Sequence, residues 1–477
     1  MNGIIGREKE IKRLNRALEE TEAQLIIVYG RRRVGKTFLI NEYFDYNFDF
    51  KFTGAYNQSK KEQLTNFSLE LSRYSKEKCD TPSSWTEAFY LLRDYLEKGS
   101  INEKQVVFFD EMPWMDNQKS GFLKAFEWFW NSWGSSRKNL VFVVCGSATS
   151  WLREKIDRNK GGLFNRRTCR LYLEPFNLYN VEKYLISRNI NWSRYDITEC
   201  YMIMGGIPFY LKLLDRELTL NENIDEIFFK KRSELWDEFD QLYRTLFTNS
   251  DKYIKIIELL STKRKGYTWG EIAERTSISA NGVLTKMLTN LMESGFIKVN
   301  EVYGHKKREQ TYQLSDYYTM FYFRYLKKHA GKDEHLWSTS YDDSSREVWE
   351  GLTFEQVCKD HIEQVKRKLG ISAVSADVSS WSKQGGKGTD GAQIDLLFDR
   401  KDKTINLCEI KFYSQEFEIT KAYDDSLKNK ARVFKEETKT NKTIQLNMIT
   451  TYGIKRNKYS NSIGRTVEMD DLFMPDE

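Results

Sequence analysis

Apolar residues fall into different rhythms along this chain. Over residues 1 to about 248, short unbroken apolar runs at 25–29, 106–109 and 140–145 alternate with stretches of helical spacing. Runs of that length without polar interruption predict strands buried on both faces, and strands separated by helices predict a parallel α/β sheet. The rhythm changes at about 249. Residues 253–260, 268–276 and 279–294 place apolar side chains every three or four positions: Ile254, Ile257 and Leu260; Ile272 and Ala273; Val283, Leu284, Met287, Leu288 and Leu291. This predicts three helices, the last capped by Ser279 after a tight turn. Two strands, 296–303 and 310–314, should follow, with Gly304-His-Lys-Lys-Arg308 at their tip. That order of elements is a winged helix-turn-helix. Beyond 340, a helix over 345–369 precedes strand-like runs at 394–398, 406–412 and 443–450. The expected divisions are a parallel-sheet α/β core over 1–175, a helical segment over 176–248, the winged helix over 249–330 and an α/β module over 340–477.

The first apolar run leads into Gly30-Arg-Arg-Arg-Val-Gly-Lys-Thr37, which satisfies G-x-x-x-x-G-K-[ST] at each fixed position, and Phe38 onward continues as a helix. Strand, glycine loop and helix together make a phosphate-binding loop. Gly30, Arg31, Arg32, Arg33, Val34 and Gly35 would turn backbone N–H groups toward a phosphate at the helix N-terminus. Lys36 would reach the β- and γ-phosphates, and the Thr37 hydroxyl would ligate Mg²⁺. The second run ends in Asp110-Glu111. Asp110 would hold the cation through water, and Glu111 would act as general base on the attacking water. The third run ends at Ser147, a position suited to contact the γ-phosphate or the lytic water; a plain strand-ending turn serine is the alternative. ATP and Mg²⁺ are the expected cofactors.

Composition narrows the class. Six cysteines without a C-x-x-C pair and only four histidines argue against a disulfide framework, a zinc site or a Ser-His triad. No apolar run of 18 residues occurs and the first residues lack the apolar stretch of a signal peptide, so a cytoplasmic protein without membrane contact is expected. The net charge of +6 is concentrated: 14 Lys and Arg against 8 Asp and Glu lie between 249 and 330. This marks the winged helix, with Lys306, Lys307 and Arg308 at its tip, as a candidate DNA surface; packing against another part of the chain or a partner is the alternative use.

Ile5-Gly-Arg-Glu, the phosphate loop, Asp110-Glu-Met-Pro-Trp114 and Gly205-Gly-Ile-Pro-Phe-Tyr-Leu211 together resemble the archaeal-type AAA+ ATPases near the STAND class of NTPases. The resemblance implies an AAA+-like parallel-sheet domain with a helical lid. It places Gly6 and Arg7 beside the adenine, and Gly206 and Pro208 in the lid over the base. Leu163-Phe-Asn-Arg166-Arg167 matches a basic motif of that family, so Arg166, or else Arg167, is the implied finger arginine.

Asp395 stands in Gln393-Ile-Asp-Leu-Leu-Phe398, and Leu407-Cys-Glu409-Ile-Lys411-Phe follows after a polar turn. Residues two apart on a strand share a face, so Glu409 and Lys411 project together. The neighbouring strand's Asp395 would complete a pocket for Mg²⁺ or Mn²⁺, with Lys411 orienting water and stabilising developing charge. The spacing resembles the PD-(D/E)xK nucleases of the restriction-endonuclease-like fold, and Glu355 in the preceding helix matches that superfamily's additional acidic position. No proline precedes Asp395, a departure from the pattern. The parts add up to an ATP-hydrolysing switch associated with DNA and carrying a metal-dependent nuclease domain, with a homo-oligomer or a protein partner open. The alternative is a STAND-like regulator whose C-terminal domain is a non-catalytic scaffold.

Overall fold

Every residue of Gln24–Gly30 and of Leu140–Gly146 is buried, so both strands are covered on two faces. In the computed structural model, which describes residues 3–117, 119–147, 149–157, 168–304, 310–340, 343–386 and 391–476, these are β1 and β4 of a five-stranded parallel sheet. With β2 (Phe50–Thr53), β3 (Gln105–Asp110) and β5 (Cys169–Leu173) the order is β2-β3-β4-β1-β5. The order matters for the site. Placing β4 between β1 and β3 brings the C-terminal ends of three strands together, because Tyr29 pairs with Gly146 and Phe109 with Val144. One face of the sheet is filled by aromatic rings, among them Phe50, Phe67, Trp85, Phe89, Phe109, Phe126 and Phe142. Burying each such ring contributes about 1.5–3 kcal/mol, and edge and offset ring contacts add to it.

The chain forms two compact units. The first holds this sheet, residues 1–175, together with 240–250 and 285–295. The second holds 176–239, 251–284 and 296–477. The basic middle segment contributes helices Ser250–Ser261, Trp269–Thr276 and Gly282–Glu293 and a small antiparallel sheet, β6 (Tyr267–Thr268), β8 (Thr311–Leu314) and β7 (Ile297–Asn300), in the order β6-β8-β7. The third helix begins at Gly282, not after Ser279: the Asn281 side chain accepts the Val283 N–H at 2.9 Å, and 279–281 belong to the turn. The basic tip, residues 305–309, lies outside the described residues.

The C-terminal sheet has the order β13-β12-β11-β10-β9. Strands β9 (Ala376–Lys383), β10 (Ala392–Arg400) and β11 (Thr404–Lys411) form an antiparallel meander. The Lys421–Thr438 helix then carries the chain to β12 (Thr443–Thr450), parallel to β11, and β13 (Arg465–Glu468) follows. The helix expected over 345–369 is two helices, Ser344–Asp360 and Ile362–Lys368, broken at His361. The break frees the buried His361 ring to bridge two backbones. Its Nδ1 lies 2.8 Å from the Val357 carbonyl and its Nε2 accepts the Leu178 N–H at 3.0 Å. Burial pushes this imidazole's pKa down, consistent with a neutral ring that donates from one nitrogen and accepts at the other.

Candidate functional site

The loop between β1 and the Lys36–Tyr43 helix is shaped by two glycines in left-handed backbone. Gly30 has φ 150° and lies so close to β5 that a Cβ would sit 2.3 Å from the Leu173 carbonyl oxygen; Gly35, φ 89°, caps the helix in open space. The loop is anchored from outside the motif: the buried Arg7 donates to the Val34 carbonyl at 3.0 Å and the Glu174 carbonyl at 2.9 Å. Lys36 is buried and bends back onto its own loop, donating to the carbonyls of Gly30 (3.1 Å) and Arg31 (2.9 Å). Burial lowers its pKa, while Cys145, Glu111 and Asp110 act in the opposite direction. An incoming phosphate would give this ammonium a stronger acceptor than two carbonyls.

The Thr37 hydroxyl donates to Asp110 Oδ2 at 2.9 Å. A hydroxyl and a carboxylate held side by side are the hard oxygen donors that a Mg²⁺ site takes from protein. Asp110 is buried, and desolvation followed by the neighbouring Glu111 raises its pKa against the Thr37 and Cys145 hydrogen bonds. Glu111 itself sits in left-handed backbone, φ 45° and ψ 43°. That conformation is strained for a residue with a side chain, and such strain collects at functional positions. The Glu111 carboxylate accepts from the Ser147 N–H at 3.0 Å and from its hydroxyl at 2.9 Å. Ser147 thus holds the candidate base from the end of β4.

In the second unit, β10 carries an extra residue against β9. Ile394 pairs with Trp381 but Leu397 with Ser379, so Asp395 sits in a bulge, a device that re-aims a side chain. Leu396 pairs with Cys408, so one step along each strand sets Asp395 opposite Glu409. Like charges facing across a ladder repel, and the fold answers with cations. Glu409 accepts from Lys430 (2.6 Å), Lys411 (3.2 Å) and the Tyr423 hydroxyl (3.1 Å). Glu355, on the Ser344–Asp360 helix, is gripped by both terminal nitrogens of Arg264, at 3.1 and 2.5 Å. Asp395 accepts from Gln393 (3.1 Å) and the Ile410 N–H (3.4 Å), and burial, then Glu355 and Glu409, push its pKa up to about 6. Three carboxylates of suitable chemistry for a hard cation therefore converge, but two of them are taken by side-chain cations. Among the described residues no group of three acidic, His or Cys side chains is arranged to hold a metal ion.

Residues 4–214 match the family model of an ATPase domain predominantly from Archaea. The chain carries an archaeal-type ATPase domain. It also aligns with an uncharacterized protein of Methanocaldococcus jannaschii at 24% identity, over 88% of this chain and 90% of that one. Among solved structures, the Walker-type ATPase of Pyrococcus abyssi is similar at 18% identity and a TM-score of 0.47, over 68% of this chain and 96% of that one. The ORC2 protein of Aeropyrum pernix is similar at 14% identity and a TM-score of 0.42, over 66% and 93%. At those scores neither structure bears on function here.

Within the ATPase domain, Lys36, Thr37, Asp110, Glu111 and Ser147 are brought together from three strand ends, and Val34, Arg31 and Gly6 are buried around the loop. Arg32 donates to the Thr245 hydroxyl, Arg33 takes φ 71°, and Phe38 is half exposed. Arg166 and Arg167 lie outside the described residues. Pro208 starts a short helix of the second unit, Pro208–Leu211, and Gly206 accepts the Phe176 N–H at 2.7 Å. Sequence reasoning missed Arg7 as the loop's anchor, Cys145 as a partner of Asp110, and Lys430 and Tyr423 as partners of Glu409. No motif announces Cys145, Lys430 or Tyr423, and the motif holding Arg7 implied only a place beside the adenine; each acts through the tertiary contact it makes. No helix among the described residues is long and apolar enough to cross a membrane.

Proposed function

We propose that the chain is an ATP-hydrolysing switch. The observation that carries this reading is the constellation at the ends of β1, β3 and β4, above all the Thr37–Asp110 contact and the clasp of Glu111 by Ser147. Lys36 and the loop N–H groups would bind the phosphates, Thr37 and Asp110 would hold Mg²⁺, and Glu111 would take a proton from the attacking water. A bound Mg²⁺ would neutralise charge on the phosphate oxygens. Lys36→Ala is expected to lower ATP turnover by about 10²–10³-fold or more, the scale of losing one charge-stabilising donor. Turnover unaffected by that change would remove the phosphate loop from the mechanism.

The second unit we read as a winged helix joined to a PD-(D/E)xK-like domain with a phosphodiesterase centre on DNA. The Asp395 bulge facing Glu409, and the approach of Glu355, support it. A second reading is favoured by a specific observation: Arg264 and Lys430 already neutralise Glu355 and Glu409, as in a scaffold that has no use for a cation. The assay is cleavage of single- and double-stranded DNA with Mg²⁺ or Mn²⁺. Cleavage abolished by Lys411→Ala supports the nuclease; no cleavage under any condition, with ATP turnover intact, leaves the partner-binding regulator.

A further inference from the structure

The carboxylates of the second unit do not stand alone. Glu355 and Asp395 open on a cavity of about 780 Å³ whose other wall comes from the winged-helix segment. The walls are tied together. The Tyr303 N–H donates to the Ser380 carbonyl at 2.9 Å, the Ser380 N–H to Glu301 at 3.1 Å, and Tyr317 and Lys298 both bind Asp360, at 2.7 and 3.4 Å. The cavity is therefore a built feature of one unit and not a gap between mobile parts.

Its charge is lopsided. Five cations, Arg264, Lys265, Arg324, Lys328 and Lys359, line it against two carboxylates, Glu355 and Asp395. Lys359 is the telling one. It lies one helical turn beyond Glu355, close enough for the charges of Glu355 and Asp395 to act on it, yet it forms no hydrogen bond or ion pair among the described residues. Lys359 is partly withdrawn from water beside the cations Lys298 and Arg264; holding an ammonium there without a hydrogen-bonded partner is costly, and a ligand anion would offset that cost. Arg264 faces the same space, spends both terminal nitrogens on Glu355, and adds a bond to the Leu352 carbonyl at 2.8 Å. A guanidinium fork matches a phosphate as well as it matches a carboxylate. The partly buried Phe323 ring also lines the cavity, and cations beside an aromatic face are what single-stranded nucleic acid binds. The volume is that of a small-ligand pocket. It takes a few nucleotides of one strand and not a duplex, whose major groove alone is about 12 Å wide.

We propose that this cleft binds a single-stranded nucleic-acid backbone, with Arg264 and Lys359 as its phosphate-holding residues, and that an arriving phosphate draws Arg264 off Glu355. The proposal rests on the nuclease-like reading only in taking Glu355 and Asp395 as members of that centre. Its consequence is that strand and cation load together. With Arg264 on Glu355 that carboxylate is already neutralised; once a phosphate claims Arg264, Glu355 is released as an oxygen donor beside Asp395.

The test is binding, measured without any divalent cation. Labelled 12-nucleotide DNA and RNA strands and a 12-base-pair duplex are titrated with the full-length protein in EDTA and followed by fluorescence anisotropy. Single strands are expected to bind at least about tenfold tighter than the duplex, and Arg264→Ala and Lys359→Met each to weaken them about fivefold or more and to reduce the salt slope by about one. Glu355→Gln is the decisive variant: it removes the competitor for Arg264, so single strands should bind more tightly, an effect that a merely structural Glu355 would not give. Melting temperatures, together with Arg264→Lys, separate lost contacts from lost folding. Affinity unchanged in both cation variants, affinity unchanged or weakened in Glu355→Gln, or a duplex bound as well as single strands overturns the proposal; the DNA and RNA arms show which sugar the cleft accepts. The outcomes of the two readings are separable. The expected binding pattern with no cleavage keeps the cleft and removes the nuclease. Cleavage lost in Lys411→Ala, with binding indifferent to Arg264 and Lys359, does the reverse.

Discussion

Single residues carry the sharpest expectations in the ATPase domain. Ser147 spends its N–H and its hydroxyl on the Glu111 carboxylate, so in the proposed mechanism it positions the base. Ser147→Ala should lower turnover by about 10²-fold, the scale of a misplaced catalytic group, with nucleotide affinity nearly unchanged. Steady-state kinetics beside a nucleotide-binding titration checks this; equal losses in both would make Ser147 part of the binding surface instead. The two loop glycines separate sterics from backbone strain. A methyl at Gly30 meets the Leu173 carbonyl, whereas one at Gly35 meets nothing within 4 Å. Gly35→Ala therefore costs only the left-handed strain of about 1–2 kcal/mol, and Gly30→Ala more, because β5 must move. Urea unfolding of the two variants should rank them in that order.

At the scale of elements, a buried charge cluster ties the Arg194–Met204 helix to the Ser344–Asp360 helix. Arg346 bonds Glu199 and Glu350, each at 2.8 Å, and lies over the Trp337 ring at 3.9 Å. Two carboxylates share one guanidinium, and burial, then Glu199, push the Glu350 pKa up to about 8. A carboxyl whose folded pKa is raised contributes fully below its ordinary value near 4.5, and the contribution is lost as pH climbs through 8. The melting temperature should accordingly fall from about pH 5 to pH 9, and Glu350→Gln should flatten that fall. An unaltered slope in Glu350→Gln would show that the carboxyl is ionised throughout. Arg346→Met strands both carboxylates and should cost about 3–5 kcal/mol, read as a shift of the denaturation midpoint.

At the scale of the whole molecule, the proposal of a switch makes a claim on both units at once. Any nucleic-acid cleavage by wild type should change on adding ATP. In Lys36→Ala it should persist but ignore ATP, and in Lys411→Ala it should be absent with ATP turnover retained. Cleavage equally responsive to ATP in Lys36→Ala would place its nucleotide control elsewhere. Most of the Gly282–Glu293 helix, from residue 285 onward, belongs to the first unit, where Lys286 pairs with Glu154 at 3.4 Å and Glu293 with Arg153 at 2.7 Å. Those pairs engage a helix that a winged helix would otherwise offer to a DNA groove, which favours the proposed wing-side cleft over that helix as the place to look for nucleic-acid binding.

The sequence by itself determined what local physics specifies. Unbroken apolar runs became β1, β3 and β4, the phosphate loop needed its glycines, and alternation on β11 set Glu409 and Lys411 on one face. It could not reveal β2, β5, β6, β9 or β13. These strands are short or lie at or near sheet edges, where a partly polar pattern is compatible with several outcomes. Nor could it foresee the break at His361 or the start of the Gly282–Glu293 helix, which answer to hydrogen bonds and not to periodicity. Only the tertiary structure decided which cation sits on which carboxylate. Arg264 and the Glu355 carboxylate are 91 positions apart, and Arg7 and the Glu174 backbone carbonyl that it binds are 167 apart. Pairings at such separations are set by how strands and helices stack, which no local spacing encodes.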